Sequence, residues 1–186
     1  MKKLVIVMFA VALISVTDSR AGDLRGRVSG KPGSAVVVWV EGVKRFQVPK
    51  AKPSISQQGT RFSPSLLVIV AGQTVNMPND DNVAHNVFSY SPSKQFNLGI
   101  YPKGQSKEVT FTQPGLVDLF CSIHRHMSAK ILVVPNPYYS QTRAGGEYRI
   151  AGLPPGKYVV KVWGEGMAQQ SKSVTVPAGG DVSVDF

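Results

Sequence analysis

The chain has 186 residues and a formal net charge of +10, yet only 17% of its residues are charged and 42% are hydrophobic. A disordered polyelectrolyte is therefore excluded, because such chains have too little apolar content to form a core. The 27 valines, 18 glycines and 13 prolines favour short strands separated by turns, and the length allows one domain or two small ones.

The N-terminal residues are predicted to form a secretory signal peptide rather than part of the fold. Lys2 and Lys3 precede an apolar run from Leu4 to Val16, which is too short to span a membrane as a helix. Ser19-Arg20-Ala21 places small residues at the two key positions of a cleavage site, so cleavage is expected after Ala21. The alternative is a buried N-terminal helix. Export predicts a periplasmic mature protein without a membrane span.

Residues 22–53 contain one clear strand, the continuous apolar run from Ala35 to Val40, and its pattern predicts burial on both faces. The proline- and lysine-containing residues 49–54 are interpreted as a linker.

Two further regions, 54–135 and 136–186, also consist of short strands between turn signals, and the regular spacing in the first of them is typical of a β-sandwich. The predicted strands are Leu66–Val70, Thr74–Met77, His85–Tyr90, Glu108–Phe111, Leu116–Cys121 and Lys130–Val134, followed by Gly146–Ala151, Lys157–Trp163, Ser173–Val176 and Asp181–Phe186.

Chemistry-bearing side chains concentrate in a short part of the chain, because all three histidines and the only cysteine lie between His85 and His126. A single cysteine in an oxidising compartment is an inert buried thiol, an intermolecular bridge or a metal ligand. Cys121 is followed by His124 and Met127 at intervals of three residues, with His85 upstream on a predicted strand edge. One thiolate, two imidazoles and a weak axial thioether are the ligands of a blue copper centre. A structural thiol and a zinc site remain as alternatives.

His85-Asn86-Val87 followed by Cys-x2-His-x2-Met resembles the cupredoxin family, with the short ligand loop of amicyanin, and is similar to cupredoxin-like proteins associated with methylamine utilisation. The resemblance implies one type 1 copper per chain, with His85, Cys121 and His124 as equatorial ligands and Met127 as axial ligand. It also implies that Asn86 braces the site and hydrogen-bonds the cysteine sulfur. His126 departs from the family pattern, so whether it competes with Met127 is left open.

The C-terminal sequence from Gly146 to Tyr158 resembles a carboxypeptidase-regulatory or transthyretin-like β-sandwich. Residues 136–186 are short for such a domain, and residues 22–53 resemble its missing first strands. The predicted fold class is therefore all-β: a cupredoxin Greek-key sandwich, residues 54–135, plus a second small sandwich possibly split around it. The alternative assigns the N-terminal strands to the copper sandwich.

These residues predict an exported single-electron carrier that cycles between Cu(II) and Cu(I), not an enzyme. A binuclear copper centre needs two cysteines, and three histidines cannot also ligate a trinuclear cluster. The expected partner is a redox protein, a cytochrome or a dehydrogenase, and no nucleic acid. Two other classes stay open: a copper chaperone or store without redox partners, and a binding module with a structural metal.

Overall fold

The computed structural model describes residues 20–29, 35–142 and 145–186, and every helix or strand within these ranges is a β-strand, which confirms the all-β prediction. The predicted signal peptide lies outside the described residues except for its last two positions. None of the described residues belongs to a helix that could cross a bilayer. The strands are β1 (Gly22–Arg27), β2 (Val36–Glu41), β3 (Ser56–Gln57), β4 (Phe62–Ser63), β5 (Leu66–Val70), β6 (Thr74–Pro78), β7 (His85–Ser91), β8 (Lys94–Tyr101), β9 (Ser106–Thr110), β10 (Gly115–Phe120), β11 (Ser128–Val134), β12 (Tyr139–Gln141), β13 (Glu147–Leu153), β14 (Gly156–Gly164), β15 (Gln170–Val176) and β16 (Val182–Ser183).

The middle of the chain forms a sandwich around its own core. Its larger sheet has the order β5-β11-β10-β7-β8, in which β5 and β11 are parallel and the other neighbours are antiparallel. The opposing strands β6 and β9 pair antiparallel, and β3 and β4 form a short hairpin. Alternating side chains of both sheets meet in one buried apolar cluster. Its members include Ile69, Val75, Met77, Val87, Phe111, Leu119 and Ile131.

A second sandwich is built from strands at both ends of the chain. Its two sheets have the orders β13-β1-β16 and β12-β2-β14-β15. Leu24 of β1 pairs with Ile150 of β13, and Val40 of β2 pairs with Val160 of β14. All four side chains belong to a second buried cluster. The predicted architecture of a copper-type sandwich plus a second small one is therefore confirmed, whereas the exact domain boundaries stay a prediction.

Strand β2 joins the two cores, which explains its continuous apolar sequence. Because successive side chains of a strand point to opposite faces, Val38 and Val40 enter the second core while Val37 and Trp39 face the other way. The latter two pack in a third cluster with Val70, Leu132 and Val134 of β5 and β11. The sequence prediction that this run is buried on both faces is confirmed.

Strand β8 was absent from the predicted elements. Its alternating pattern is weak because Asn97 and Gly99 interrupt it, and both residue types are typical of turns. Gly99 has a positive φ of 67°, and the register with β7 shifts between Asn86 and Phe88. The strand forms by antiparallel pairing with β7, and its Phe96 and Leu98 side chains pack against the first core.

Candidate metal centre

The sheet topology brings the start of β7 next to the end of β10. The two strands are antiparallel neighbours, with Phe88 opposite Phe120. His85 is the first residue of β7, and Cys121 directly follows β10. Their side chains therefore meet at the same end of the sandwich although they are far apart in sequence.

A short loop, residues 121–127, carries the second imidazole to the same place. It links β10 to β11, which are antiparallel neighbours, so both ends of the loop lie close together at the end of the sheet. The amide of Met127 donates to the carbonyl of His124 at 2.9 Å, which closes a turn at the end of the loop. His124 is half-buried at the surface of the sandwich, whereas Cys121 and Met127 are buried.

His85, Cys121 and His124 form the one group of potential metal ligands found among the described residues, with ligand atoms within 4.8 Å of one another. The Nδ1 atom of His85 lies 3.9 Å from the Sγ of Cys121 and 3.0 Å from the Nδ1 of His124. Protein nitrogen and thiolate ligands sit about 2.0–2.3 Å from a d-block ion, so these separations allow all three atoms to share one ion.

The chemistry of the donor set also fits copper. His85 and Cys121 are buried, so the thiolate and one imidazole lie in a dry environment, and the two imidazole nitrogens face each other at hydrogen-bonding distance. A shared cation resolves that juxtaposition without requiring a proton between the rings. A thiolate together with imidazoles suits copper better than magnesium or calcium, which prefer oxygen ligands.

Met127 lies in the core below the ligand loop, in the same buried cluster as Cys121. The structure thus keeps its thioether out of solvent, in the same apolar core as the cysteine. Core packing alone would also bury this residue, so its role as axial ligand stays a prediction.

Asn86 ties β7 to the ligand loop. Its Oδ1 accepts hydrogen bonds from the amide of Ser122 at 2.7 Å and from the hydroxyl of the same residue at 2.9 Å. Both bonds fix the residue that follows Cys121, which restrains the thiolate at the strand end. The hydrogen bond to the sulfur that the family resemblance implies stays a prediction.

Asp81 is a site residue that sequence reasoning missed. Its Oδ2 lies 3.0 Å from the Nε2 of His85 and also accepts the amide of Thr60 at 2.6 Å. An ionised carboxylate can only accept, so it favours the neutral tautomer that donates from Nε2 and keeps the Nδ1 lone pair for a metal ion. The Thr60 amide and then the His85 ring lower the pKa of Asp81 to about 2. The one sequence signal that could have found it is the acidic pair Asp80-Asp81 in a turn-type segment shortly before His85.

The turn that carries Asp81 is held by hydrogen bonds to the side chain of Asn79, which is fully buried. The side-chain amide of Asn79 donates to the carbonyls of Val83 at 2.9 Å and Tyr101 at 3.0 Å, and its oxygen accepts the amide of Asp81 at 2.9 Å. Tyr101 is the strand partner of His85. These hydrogen bonds hold the turn in place and so fix the position of the Asp81 carboxylate beside the His85 imidazole.

His126 lies outside the three-residue cluster. Its side chain is exposed, and its ring centroid is 6.2 Å from that of His124. Its Nε2 hydrogen-bonds the hydroxyl of Thr60 at 3.2 Å.

Two family models match the chain. Residues 49–134 match copper-binding proteins of the plastocyanin/azurin family, and residues 127–186 match the carboxypeptidase regulatory-like domain. Both resemblances seen in the sequence are therefore confirmed. No curated protein matches the chain significantly.

Solved structures similar to the chain include a purple cupredoxin from Nitrosopumilus maritimus, with 27% identity over 45% of this chain and 100% of that one, at a TM-score of 0.41. A reduced mutant of amicyanin has 21% identity over 52% of this chain and 98% of that one, at a TM-score of 0.43. A copper-containing nitrite reductase from Thermus scotoductus SA-01 has 21% identity over 59% of this chain and 28% of that one, at a TM-score of 0.44. The family match and the His-Cys-His cluster together support copper binding.

Proposed function

We propose that this protein is an exported type 1 copper protein that carries single electrons. The observation that carries the proposal is the convergence of one buried thiol and two imidazoles at the shared end of β7 and β10. We assign His85, Cys121 and His124 as equatorial ligands, Met127 as axial ligand and Asn86 as a brace. One copper per chain follows from the single cysteine.

When bound, copper supplies a one-electron couple between Cu(II) and Cu(I). The chain's own residues hold the ligands in place in advance. Asp81 fixes the His85 ring, Asn86 fixes the residue after Cys121, and the turn at Met127 fixes the loop. Ligands that move little between oxidation states reduce the reorganisation that electron transfer requires. Titration of the metal-free protein with Cu(II) should give one intensely coloured complex per chain, whereas a colourless complex would contradict the proposal.

His124 is the ligand through which we expect electrons to pass, because it is half-buried whereas the other proposed ligands are buried. Exposed aliphatic side chains lie nearby in sequence and register: Ile123 precedes it, Val83 precedes His85 by two residues, and Ile100 is paired with Asn86. Their exposed fractions are 45%, 45% and 64%. An apolar rim of this kind suits brief docking of a redox partner, a cytochrome or a dehydrogenase.

The proposal includes export and a divided second domain. Strand β1 begins at Gly22, directly after the proposed cleavage site at Ala21, which is compatible with removal of residues 1–21. The pairing of β1 with β13 and of β2 with β14 favours assigning residues 22–53 to the C-terminal domain, residues 136–186. Residues 54–135 are then an inserted copper domain.

We expect Met127→Gln to retain copper but to lower the reduction potential by at least about 60 mV, equivalent to a tenfold weaker preference for Cu(I). The thioether is a soft ligand that favours Cu(I), and an amide oxygen is not. Protein-film voltammetry measures the shift. His126→Ala is the matched control and should leave the potential and the electron-spin-resonance spectrum unchanged. If His126→Ala changes the spectrum and Met127→Gln does not, the axial assignments are reversed.

A large share of the net positive charge lies outside the ligand loop, because residues 22–53 carry seven basic and two acidic side chains. Residues 42–53 carry four basic and no acidic side chains, and within this segment Val48 contacts the turn at Gly72. That turn lies beside the start of β10, whereas Cys121 follows its end, roughly 20 Å away along six residues.

We therefore expect electron transfer to an acidic cytochrome to slow by less than about threefold between low and physiological salt, since separated exposed charges are screened over about 10 Å. Stopped-flow kinetics across a salt series measures the effect, with Arg125→Glu beside His124 and Lys44→Glu at the far end as a matched pair. A steep dependence that Arg125→Glu alone abolishes would show that charge at the metal end controls docking.

A further inference from the structure

His126 is a ligand-loop residue for which the metal centre gives no role. It is exposed, it stands outside the ligand cluster, and its Nε2 is 3.2 Å from the hydroxyl of Thr60. Thr60 belongs to the hairpin between β3 and β4, which is not part of the sheet that carries the ligands. The contact therefore connects the ligand loop to a separate element.

The backbone at Thr60 is unusual for its residue type. Gln58 and Arg61 exchange two backbone hydrogen bonds, at 3.0 and 3.2 Å, so Gly59 and Thr60 are the two central residues of a tight hairpin. Both have positive φ angles, 58° and 53°. Glycine and asparagine are the residues that favour such positions, whereas a β-branched side chain is strained there. Backbone outliers of this kind cluster at functional sites, and Thr60 lies beside the candidate centre.

Thr60 also contacts the other half of the centre. Its amide donates to the Oδ2 of Asp81 at 2.6 Å, and the same oxygen binds the Nε2 of His85 at 3.0 Å. The neighbouring turn is held to the same hairpin, because the amide of Asp80 donates to the carbonyl of Gln57 at 3.0 Å. Thr60 thus binds Asp81, the hydrogen-bond partner of His85, through its backbone amide, and it binds the ligand loop through its side-chain hydroxyl.

We propose that Thr60 is a positioning residue that holds the ligand loop, residues 121–127, against the hydrogen-bonded pair Asp81 and His85, and that His126 is the loop residue it binds. The inference rests on the proposed copper function for its benefit to metal retention, but the contact itself joins two residues outside the ligand cluster. Thr60 holds residues 121–127 against the turn at Asp81 and so slows the opening through which a metal ion leaves.

Three variants of the full chain separate this role from a merely structural one. Thr60→Gly removes the hydroxyl and relieves the strained backbone, but it keeps the hydrogen bond from the backbone amide of residue 60 to Asp81. Thr60→Ser keeps the hydroxyl without the β-branch and is the conservative control. His126→Ala removes the other partner.

In the metal-free protein we expect Thr60→Gly and His126→Ala each to raise hydrogen exchange of the amides in residues 121–127 by about three- to tenfold, the usual effect of losing one hydrogen bond. Release of Cu(I) to a chelator should accelerate by a similar factor. Thr60→Ser should match the parent protein. The melting temperature of Thr60→Gly should stay close to that of the parent, because relief of the strained backbone offsets the lost hydrogen bond and the greater chain entropy of glycine.

The double variant Thr60→Gly/His126→Ala should show no more loop exchange than either single variant, since both remove the same contact. Unchanged loop exchange in both single variants would overturn the inference, as would fully additive effects. If the parent protein fails to bind copper, the proposed function fails, whereas the exchange data still decide the role of Thr60.

Discussion

Replacing Cys121 by serine is expected to abolish the intense visible absorption of the copper-loaded protein. That absorption requires a thiolate bonded to Cu(II), and Cys121 is the only cysteine in the chain. Its side chain is buried beside His85, so no thiol from solvent can replace it without rearranging the core. Copper affinity should fall by more than the roughly 10- to 100-fold typical of losing a supporting residue around a metal. Absorption spectroscopy during copper titration measures both effects.

Ser122→Ala is the matched control for this experiment. It removes a hydroxyl beside the cysteine but leaves the backbone amide of residue 122 free to bind Asn86. We expect the visible band to persist in this variant. An undiminished band in Cys121→Ser would contradict the blue-copper assignment and with it the electron-carrier function.

Val38→Asp is expected to unfold the second sandwich while the copper centre persists. Val38 is fully buried in the second core and is paired with Val162 on β14. An uncompensated charge in such a place costs about 3–5 kcal/mol, a large part of the 5–15 kcal/mol that stabilises a typical domain. The ligands are supported by the first core, to which Val38 does not belong. Circular dichroism follows the unfolding, and the visible band reports on the copper site.

Val48→Asp provides the control, because it makes the same substitution at an exposed position of the same N-terminal region. It should change the melting temperature little. We expect Val38→Asp also to lower the melting temperature of the copper domain, since Val70, Leu132 and Val134 lose the cover of Trp39. Complete loss of the band at room temperature would instead show that the two sandwiches form one cooperative unit and that the proposed domain division is wrong.

The residues of the candidate centre differ in how far sequence reasoning could find them. Cys121, His124 and Met127 were recognisable because they share one loop with fixed spacing, and His85 because it is the only other histidine besides His126. The structure brings His85, Cys121 and His124 together as ligand atoms.

Asp81 and Thr60 were not recognisable, because they act through contacts between separate elements. Nothing in the letters shows that a hairpin at residues 58–61 reaches the turn before His85, since that proximity depends on how β3 runs beside β6. A threonine with positive φ also looks like any other polar residue in a sequence.

The fold shows the same division between local and distant information. The double burial of β2 was predictable from Ala35–Val40, because a continuous apolar run requires cover on both faces. Resemblance alone predicted that residues 22–53 join the C-terminal strands. The individual partners β12 and β14 were not predictable, since they lie beyond the whole copper domain and several pairings are sterically equivalent. Strand β8 was missed because its glycine and asparagine resemble turn residues.

The pairing of β2 with strands from the other end of the chain has a consequence for the order of folding during synthesis. The carbonyl of Val40 accepts a hydrogen bond from the side chain of Asn136, 96 positions later, and its amide donates to the carbonyl of Tyr138. Until that part of the chain leaves the ribosome or the translocation pore, Val38 and Val40 have no partner strand.

The copper domain, whose pairings lie within residues 54–134, can form first. Its completed fold then delivers Asn136 next to Val40, which replaces the closure of a long flexible loop by that of a short one. We expect refolding of the second sandwich to wait for the first, so a slow or destabilised copper domain leaves an apolar strand exposed to aggregation.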